Sequence, residues 1–354
     1  MATADGCGAA GGGTGIRTGS RGGVIRGKRL GLSLWGTVPV AELARQARLA
    51  EAIGCDSVWV IDSQLLCREA YLTLAACLAQ TTTLRVATGV TQPATRHPSV
   101  AASSLATLAE MSGARAIMGI GTGFSSLRTI GLPASKIAEV EEYATTVRRL
   151  LRGEQVTFAD GTPGRITWLD QPIEVPIVVA ASGPRMTRRA VRFADGVILH
   201  QGISPDLLNR ALGWARDGMD GALPEMSCWV PYSMAADPRE ARDRVRARVA
   251  GALMNTNPDW FEGEDRDAVQ RLQANYDVSH HATAQPHHAA LVTDGLVARY
   301  AVAGTPDEVR EQLARVMAQP GIDRVILTPQ VSGGGALPIE QVLHDLAAKV
   351  LQHL

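Results

Sequence analysis

Lysine is scarce in this sequence of 354 residues, and an excess of charge of either sign is absent. Lys28, Lys136 and Lys349 are the only lysines among 35 basic residues, which balance 35 acidic residues at pH 7. None of them lies at the end of an apolar segment that predicts a strand, so a Schiff-base lysine enzyme is not indicated. A general nucleic-acid binder needs a basic excess, so we expect no nucleic-acid partner.

Cysteine and long apolar segments are limited as well. The five cysteines are odd in number and no pair has Cys-x-x-Cys spacing, which favours a reduced, cytoplasmic protein over a disulfide scaffold. No apolar run approaches the roughly 20 residues that a membrane helix needs, so we expect no membrane partner. Residues 1–27 contain glycine clusters and scattered arginines without the apolar core of a signal peptide. This composition predicts a disordered N-terminal tail.

From Leu30 onward, short apolar segments alternate with amphipathic segments. The apolar segments predict strands, and the amphipathic segments between them predict helices. Sustained alternation of this kind predicts a parallel sheet covered by helices, and eight repeats predict a closed (β/α)8 TIM barrel over residues 28–354. The eight predicted strands cover residues 30–35, 57–61, 84–89, 115–121, 176–181, 195–200, 226–236 and 323–329.

Two insertions interrupt the alternation. The first insertion, at about residues 155–170, contains a predicted hairpin over residues 156–169 around Asp160-Gly161. The second, at about residues 255–303, is predicted to be irregular and to end in a helix towards Ala303. A doubly wound open sheet is the alternative architecture. It is disfavoured because no Gly-x-Gly-x-x-Gly motif follows the first strand and no acidic ribose ligand ends the second strand–helix unit.

The predicted strand ends form the mouth of such a barrel, where active sites lie. Gly121, Gly123 and Gly183 permit a ligand to approach backbone N–H groups closely. Ser182-Gly183-Pro184 opens a predicted helix, whose N–H groups and dipole favour an anion. Together these residues predict a site for a large phosphorylated cofactor that brings its own reactivity. Turn-forming glycines and an ordinary helix cap are the structural alternatives.

Metal-binding and acid–base groups are few at these strand ends. Asp62 is the only carboxylate there, which disfavours a divalent-metal site and a two-carboxylate glycosidase. Asp62 is either a ligand contact or a satisfied strand-end carboxylate, and His97 is either a functional or a helix-entry residue. His280-His281 and His287-His288 lack acidic or cysteine partners, so they predict surface or substrate-cap histidines. We predict no metal site.

Four segments resemble the bacterial-luciferase-like superfamily, and the resemblance extends from about residue 30 to the C-terminus. Within that superfamily the sequence is most similar to methylene-tetrahydromethanopterin reductase and its deazaflavin-dependent relatives. TGVTQPATRHP (88–98) is the most specific segment, followed by VAASGP (179–184). The other resembling stretches are SVWVIDSQLLCREAYLTLA (57–75), residues 87–123 as a whole and VAGTPDEV (302–309).

The resemblance implies a barrel with insertions that binds coenzyme F420 or FMN. In the family, a bulge after the third strand carries a non-prolyl cis peptide behind the flavin-like ring, and it maps here to Gly89-Val90. The cofactor phosphate maps to the end of the fifth strand, and Asp62 maps beside the ring. We predict Asp62 and His97 as catalytic residues, and Trp35 and Gln201 as substrate contacts. The predicted cofactor-binding residues are Asp62, Thr88, Gly89, Val90, Thr91, Gly121, Thr122, Gly123, Ala181, Ser182, Gly183 and Pro184.

The predicted function is an oxidoreductase that transfers a hydride between coenzyme F420 and a small organic substrate, with a homodimer as the expected assembly. One alternative is an FMN-dependent luciferase-like monooxygenase, which uses oxygen and reduced flavin supplied by a separate flavin reductase. A second alternative is a barrel that binds flavin or a partner without catalysis.

Overall fold

The computed structural model describes residues 24–25, 27–277, 286–330 and 338–354. The strands are β1 Val24–Ile25, β2 Lys28–Leu34, β3 Ser57–Val60, β4 Arg85–Thr88, β5 Ala116–Ile120, β6 Val156–Thr157, β7 Pro163–Gly164, β8 Ile177–Ala181, β9 Gly196–Leu199, β10 Glu225–Met234, β11 Val302–Gly304 and β12 Arg324–Pro329. The α-helices are α1 Val40–Ala52, α2 Ala70–Ala79, α3 Pro98–Ser112, α4 Ser125–Arg128, α5 Ile137–Leu151, α6 Pro184–Ala190, α7 Pro205–Gly218, α8 Pro238–Leu253, α9 Gly263–Asn275, α10 Asp294–Tyr300, α11 Pro306–Ala318 and α12 Ile339–Lys349. Short 3-10 helices cover Pro258–Trp260, His287–Leu291 and Leu351–His353.

Eight parallel strands close into a barrel, which confirms the predicted (β/α)8 fold. Around the barrel the strands follow the order β2, β3, β4, β5, β8, β9, β10 and β12. The circle closes because β2 pairs in parallel with both β3 and β12. Since all eight strands run in one direction, their carboxyl ends meet at one face, which is the mouth of the barrel.

The barrel strands are apolar because both of their faces are buried. Trp59, for example, points into the barrel, while its neighbours Val58 and Val60 pack against the surrounding helices. Filling the interior with side chains makes the barrel a packed core and not a pore. The inner cluster consists of Trp59, Ala87, Ile117, Val178, Ile198 and Ile326.

A buried ion-pair cluster lies at the opposite end from the mouth. Arg324, at the start of β12, is 1% exposed. Its Nη2 donates to Asp56 Oδ2 at 2.8 Å, and its Nη1 donates to Glu225 Oε1. Glu225 also pairs with Arg29 at 2.6 Å. These residues tie β2, β10, β12 and the loop before β3 together below the inner cluster.

Two segments interrupt the alternation of barrel strands and helices. β6 and β7 form the predicted hairpin within residues 155–170. Within residues 255–303, α9 and α10 pack on α7 and α8 through a second hydrophobic cluster that contains Leu207, Val249, Leu272 and Leu296. In the described part of the chain, no helix has the length and apolarity needed to cross a membrane, and no group of His, Cys, Asp and Glu has metal-site geometry.

Two short strands were not predicted. β11 pairs with the carboxyl half of β10, whereas the sequence predicts a helix towards Ala303. Three residues are too few to show the alternation that identifies a strand. β1 pairs with β2 inside the predicted tail of residues 1–27. Residues 1–23 and 26, and His280-His281, lie outside the described part of the chain.

Candidate active site

A cavity of about 240 Å³ opens at the mouth of the barrel. Its walls come from the strand ends, from the loop after β5 and from α8. This is the position that the fold and the sequence both predict for the active site. The predicted site residues that line the cavity are Trp35, Asp62, Gly89, Val90, Gly121, Thr122, Gly123 and Ser182.

One half of the mouth is built from small residues at the ends of β4, β5 and β8. The Gly89-Val90 peptide bond is cis, which confirms the prediction for this position. Ala87 pairs with Ile117, whereas Thr91 pairs with Ile120, so the β4 side contains one residue more than β5 and forms a bulge. The bulge places the Gly89-Val90 backbone in the cavity wall.

Thr88 and Thr91 support the bulge without lining the cavity. The Thr88 hydroxyl donates to the carbonyl oxygen of Gly119 at 2.7 Å and accepts from the Gly119 N–H at 2.9 Å. The Thr91 carbonyl accepts from the Gly121 N–H at 2.9 Å. These bonds fix β4 to β5 on both sides of Gly89-Val90, so the two threonines position the wall from behind.

Asp62 lies at the cavity edge with its carboxylate almost fully engaged. It is 4% exposed and accepts from Thr91 Oγ1 at 2.7 Å, from Gln64 Nε2 at 2.9 Å and from Arg96 Nη1 at 2.5 Å. Arg96 Nη2 adds a longer bond of 3.3 Å and also donates to Glu69 at 2.5 Å. A carboxylate offers about four acceptor positions, so these bonds leave little capacity for a substrate proton.

His97 is exposed and does not line the cavity. It is the N-cap residue of α3, and its Nδ1 lies 2.7 Å from the Ser99 hydroxyl. Its ring packs edge-on against Phe158 in the β6–β7 hairpin, with 4.5 Å between ring centroids. The structure therefore gives His97 the helix-entry position that the sequence left open, and it does not place the residue with Asp62 at the cavity.

Ala181, Gly183, Pro184 and Gln201 lie just outside the lining. Gly183 is the N-cap residue of α6 and Pro184 is its first helical residue, as predicted. A Cβ added at Gly183 would meet nothing within 4 Å, so this backbone faces open space beside Ser182. Gln201 is 1% exposed and donates to the Ala181 carbonyl at 2.9 Å. Gln201 thus holds the β8 end in place and is not positioned as a direct substrate contact.

The other half of the mouth contains residues that the sequence did not single out. Trp229 and Thr328 come from β10 and β12, while Arg248 and Asn255 come from α8 and the loop after it. With Trp35, which follows β2, they form a wall whose side chains are larger than those of the glycine-rich half. We call these five residues the tryptophan wall.

His200 also lines the cavity, at the end of β9 between the two halves. Burial lowers the pKa of His200 to about 4, because a charged imidazole loses its hydration there. The ring is therefore neutral at pH 7 and can donate one hydrogen bond and accept another. The sequence placed it at a strand end, but only its neighbour Gln201 was predicted as a contact.

Known proteins are similar to this chain in sequence and in architecture. A family described as luciferase-like monooxygenase matches residues 20–324. The chain belongs to this family. A 5,10-methylenetetrahydromethanopterin reductase of Methanolobus tindarius is 28% identical over 292 residues, which cover 79% of this chain and 87% of the relative. An F420-dependent glucose-6-phosphate dehydrogenase of Beutenbergia cavernae is 32% identical over 286 residues, covering 75% and 80% of the two chains.

The solved structures include a coenzyme F420-dependent tetrahydromethanopterin reductase from Methanopyrus kandleri. It superimposes with a TM-score of 0.72 at 20% identity, and the match covers 92% of this chain and 99% of that chain. At this identity the likeness concerns the fold. The family match and the named relatives identify this luciferase-like protein as an enzyme. The structural likeness shows that its cavity lies at the mouth of a barrel with the same fold as that of the reductase.

Proposed function

We propose that this luciferase-like enzyme is an oxidoreductase that uses coenzyme F420 to move a hydride to or from a small organic substrate. The Gly89-Val90 bulge carries this proposal, since it puts flat main chain and a single branched side chain in the cavity wall. A planar ring system fits against such a surface. The relatives named as F420-dependent glucose-6-phosphate dehydrogenases favour the deazaflavin over FMN.

The residues around the bulge fit the other parts of such a cofactor. Ser182 lines the cavity beside the open backbone of Gly183, and Thr122 and Gly123 face it from the loop after β5. Hydroxyl and N–H groups at a helix start suit a phosphate group. When bound, the deazaflavin ring supplies the hydride chemistry, and these residues hold its phosphate at the rim.

The polar groups next to the bulge have positioning roles in this proposal. Asp62 connects Thr91, directly after the bulge, to Arg96. It therefore keeps the ring-facing wall in one position, while its catalytic role remains a prediction. His200 is the better placed group for holding a proton near the ring, because it lines the cavity as a neutral imidazole.

Titration of the purified protein with coenzyme F420 and, in parallel, with FMN tests the proposal. We expect F420 to bind at least tenfold more tightly than FMN. Ser182→Asp should weaken F420 binding at least tenfold, because the new carboxylate repels the phosphate. Ser182→Ala is the matched control without charge and should change the Kd far less. Binding of FMN alone would overturn the F420 proposal and leave the two flavin-binding alternatives, and binding of neither cofactor would overturn the F420 and the FMN assignments alike.

The FMN-dependent monooxygenase is kept as a second candidate because the family profile itself describes monooxygenases. In that case the same bulge and rim would hold FMN, and a separate flavin reductase would supply the reduced cofactor. The homodimer and the cytoplasmic location also remain predictions.

A further inference from the structure

Arg248 lies in the cavity wall without a carboxylate partner among the described residues. Its Nε donates to Gln330 Oε1 at 3.1 Å, and its guanidinium carbon lies 3.6 Å from the centre of the Trp35 ring.

The neighbouring arginines of α8 are paired in the usual way. Arg244 binds Glu240 one turn away, and Arg246 binds Asp243 and Asp294. Arg248 is the next arginine in this series, but it points its charge into the cavity instead. Burial lowers the pKa of Arg248 to about 10, which still leaves it charged at pH 7. A partly desolvated cation without a counter-ion gains strongly from an anionic ligand.

Two further donors of the tryptophan wall have no hydrogen-bond partner among the described residues. They are the indole Nε1 of Trp35 and the hydroxyl of Thr328, which is 2% exposed. Both residues line the same cavity as Arg248. Buried polar groups are normally hydrogen-bonded, so a set of unused groups around one cation indicates a ligand that completes them.

We infer that the tryptophan wall binds a substrate that carries a carboxylate on a flat, apolar body. One cation with two neutral groups matches a single negative charge better than a doubly charged phosphate, and a guanidinium binds a carboxylate through two parallel hydrogen bonds. Trp35 and Trp229 offer flat apolar surface for the remainder of the molecule. This inference rests on the proposed function, since the wall faces the small-residue half assigned to the cofactor.

Calorimetric titration with benzoate tests the inference, with benzamide as the neutral molecule of the same shape. We expect benzoate to bind the wild-type protein at least tenfold more tightly than benzamide. Arg248→Met should lower the benzoate affinity at least tenfold, and Arg248→Lys should lower it less because the charge remains. Arg244→Met removes a paired arginine of the same helix and should leave benzoate binding unchanged.

Two comparisons separate the substrate wall from the cofactor site. Ser182→Asp should not change benzoate binding, and Arg248→Met should keep its F420 affinity within about twofold of wild type. Melting temperatures of the Met and Lys variants establish that both are folded. The inference is overturned if benzoate and benzamide bind alike, if neither binds, if Arg248→Met binds benzoate normally, or if Arg248→Met loses F420 instead. Failure of F420 to bind, with benzoate binding still dependent on Arg248, would reject the proposed cofactor alone.

Discussion

His200 shows how a single residue links this active site to the pH dependence of stability. In the folded protein its pKa is about 4, whereas an unfolded histidine has a pKa of about 6.5. Between these two values the unfolded chain binds a proton that the folded chain does not. The contribution of His200 to the unfolding free energy is therefore fully present above pH 6.5 and is lost as the pH falls towards 4.

Substitution of this histidine should make the unfolding free energy less dependent on pH below about 6.5. The shift from about 6.5 to about 4 corresponds to at most about 3 kcal/mol of unfolding free energy. Between pH 7 and pH 4, the unfolding free energy of His200→Asn should fall by up to about 3 kcal/mol less than that of the wild type. Urea unfolding at a series of pH values measures this difference. His344→Asn, on the exposed side of α12, should follow the wild-type profile. Parallel profiles for wild type and His200→Asn would contradict the assignment.

Individual residues also show what sequence reasoning can and cannot find. Asp62 was identified because it follows a recognisable strand end, where this fold carries its site. The Gly89-Val90 bulge was identified through the resemblance to a family that has such a bulge after its third strand. Arg248 was missed because it lies in a helix in which four arginines alternate with other residues, and no local pattern distinguishes the one that faces the cavity. Its role depends on the absence of a partner, which only the tertiary structure shows.

At the scale of single elements, the loops after β5 and β8 differ in how their glycines are used. Gly123 has a φ of +77°, and a Cβ there would lie 2.9 Å from the Leu127 side chain. Gly183 has an extended backbone, and a Cβ there would meet nothing within 4 Å. The first glycine is therefore required by the fold, while the second leaves space that a ligand can use.

Alanine at these two positions should separate stability from binding. Gly123→Ala forces a side chain into the left-handed region and should lower the unfolding free energy by about 1–3 kcal/mol. Gly183→Ala should leave the unfolding free energy nearly unchanged but weaken F420 binding several-fold, because the new methyl group occupies space beside Ser182. Urea unfolding and fluorescence titration of both variants provide the measurements. A stable Gly123→Ala or an unaffected Kd in Gly183→Ala would disprove the respective assignment.

The elements themselves were predictable to different degrees. Eight barrel strands and the β6–β7 hairpin were expected from runs of buried apolar residues and from the Asp160-Gly161 turn. β11 was not, because its three residues are placed by pairing with β10 and not by a pattern of their own. The second hydrophobic cluster under α9 and α10 likewise depends on contacts with α7 and α8 that a linear sequence does not reveal.

At the scale of the whole molecule, stability and chemistry lie at opposite ends of the barrel. The mouth carries the cavity, and the other end carries the ion pairs of Arg324 with Asp56 and Glu225. Loss of one partner from a buried ion pair is costly because the remaining charges keep their desolvation penalty. Substitutions at the end opposite the mouth should therefore change the stability of the fold without changing ligand binding.

Arg324→Met tests this separation. We expect the unfolding free energy to fall by about 3–5 kcal/mol, because Asp56 and Glu225 lose their shared partner. The F420 affinity of the folded fraction should stay at the wild-type value. Arg310→Met removes an exposed arginine paired with Asp307 and should cost no more than about 1 kcal/mol. An unchanged unfolding free energy would contradict the stabilising role of the ion pairs, and a changed F420 affinity in folded Arg324→Met protein would show that the two ends are not independent.

The filled interior of the barrel also has a kinetic consequence. Trp59 and its inner neighbours occupy the centre, and Arg324 seals the far end, so in the described part of the chain the mouth is the route for every small molecule. An incoming substrate and a departing product must then use the same opening in turn. We expect each product to compete directly with its own substrate in steady-state measurements, and the turnover of the enzyme to be sensitive to the rate at which that opening is vacated.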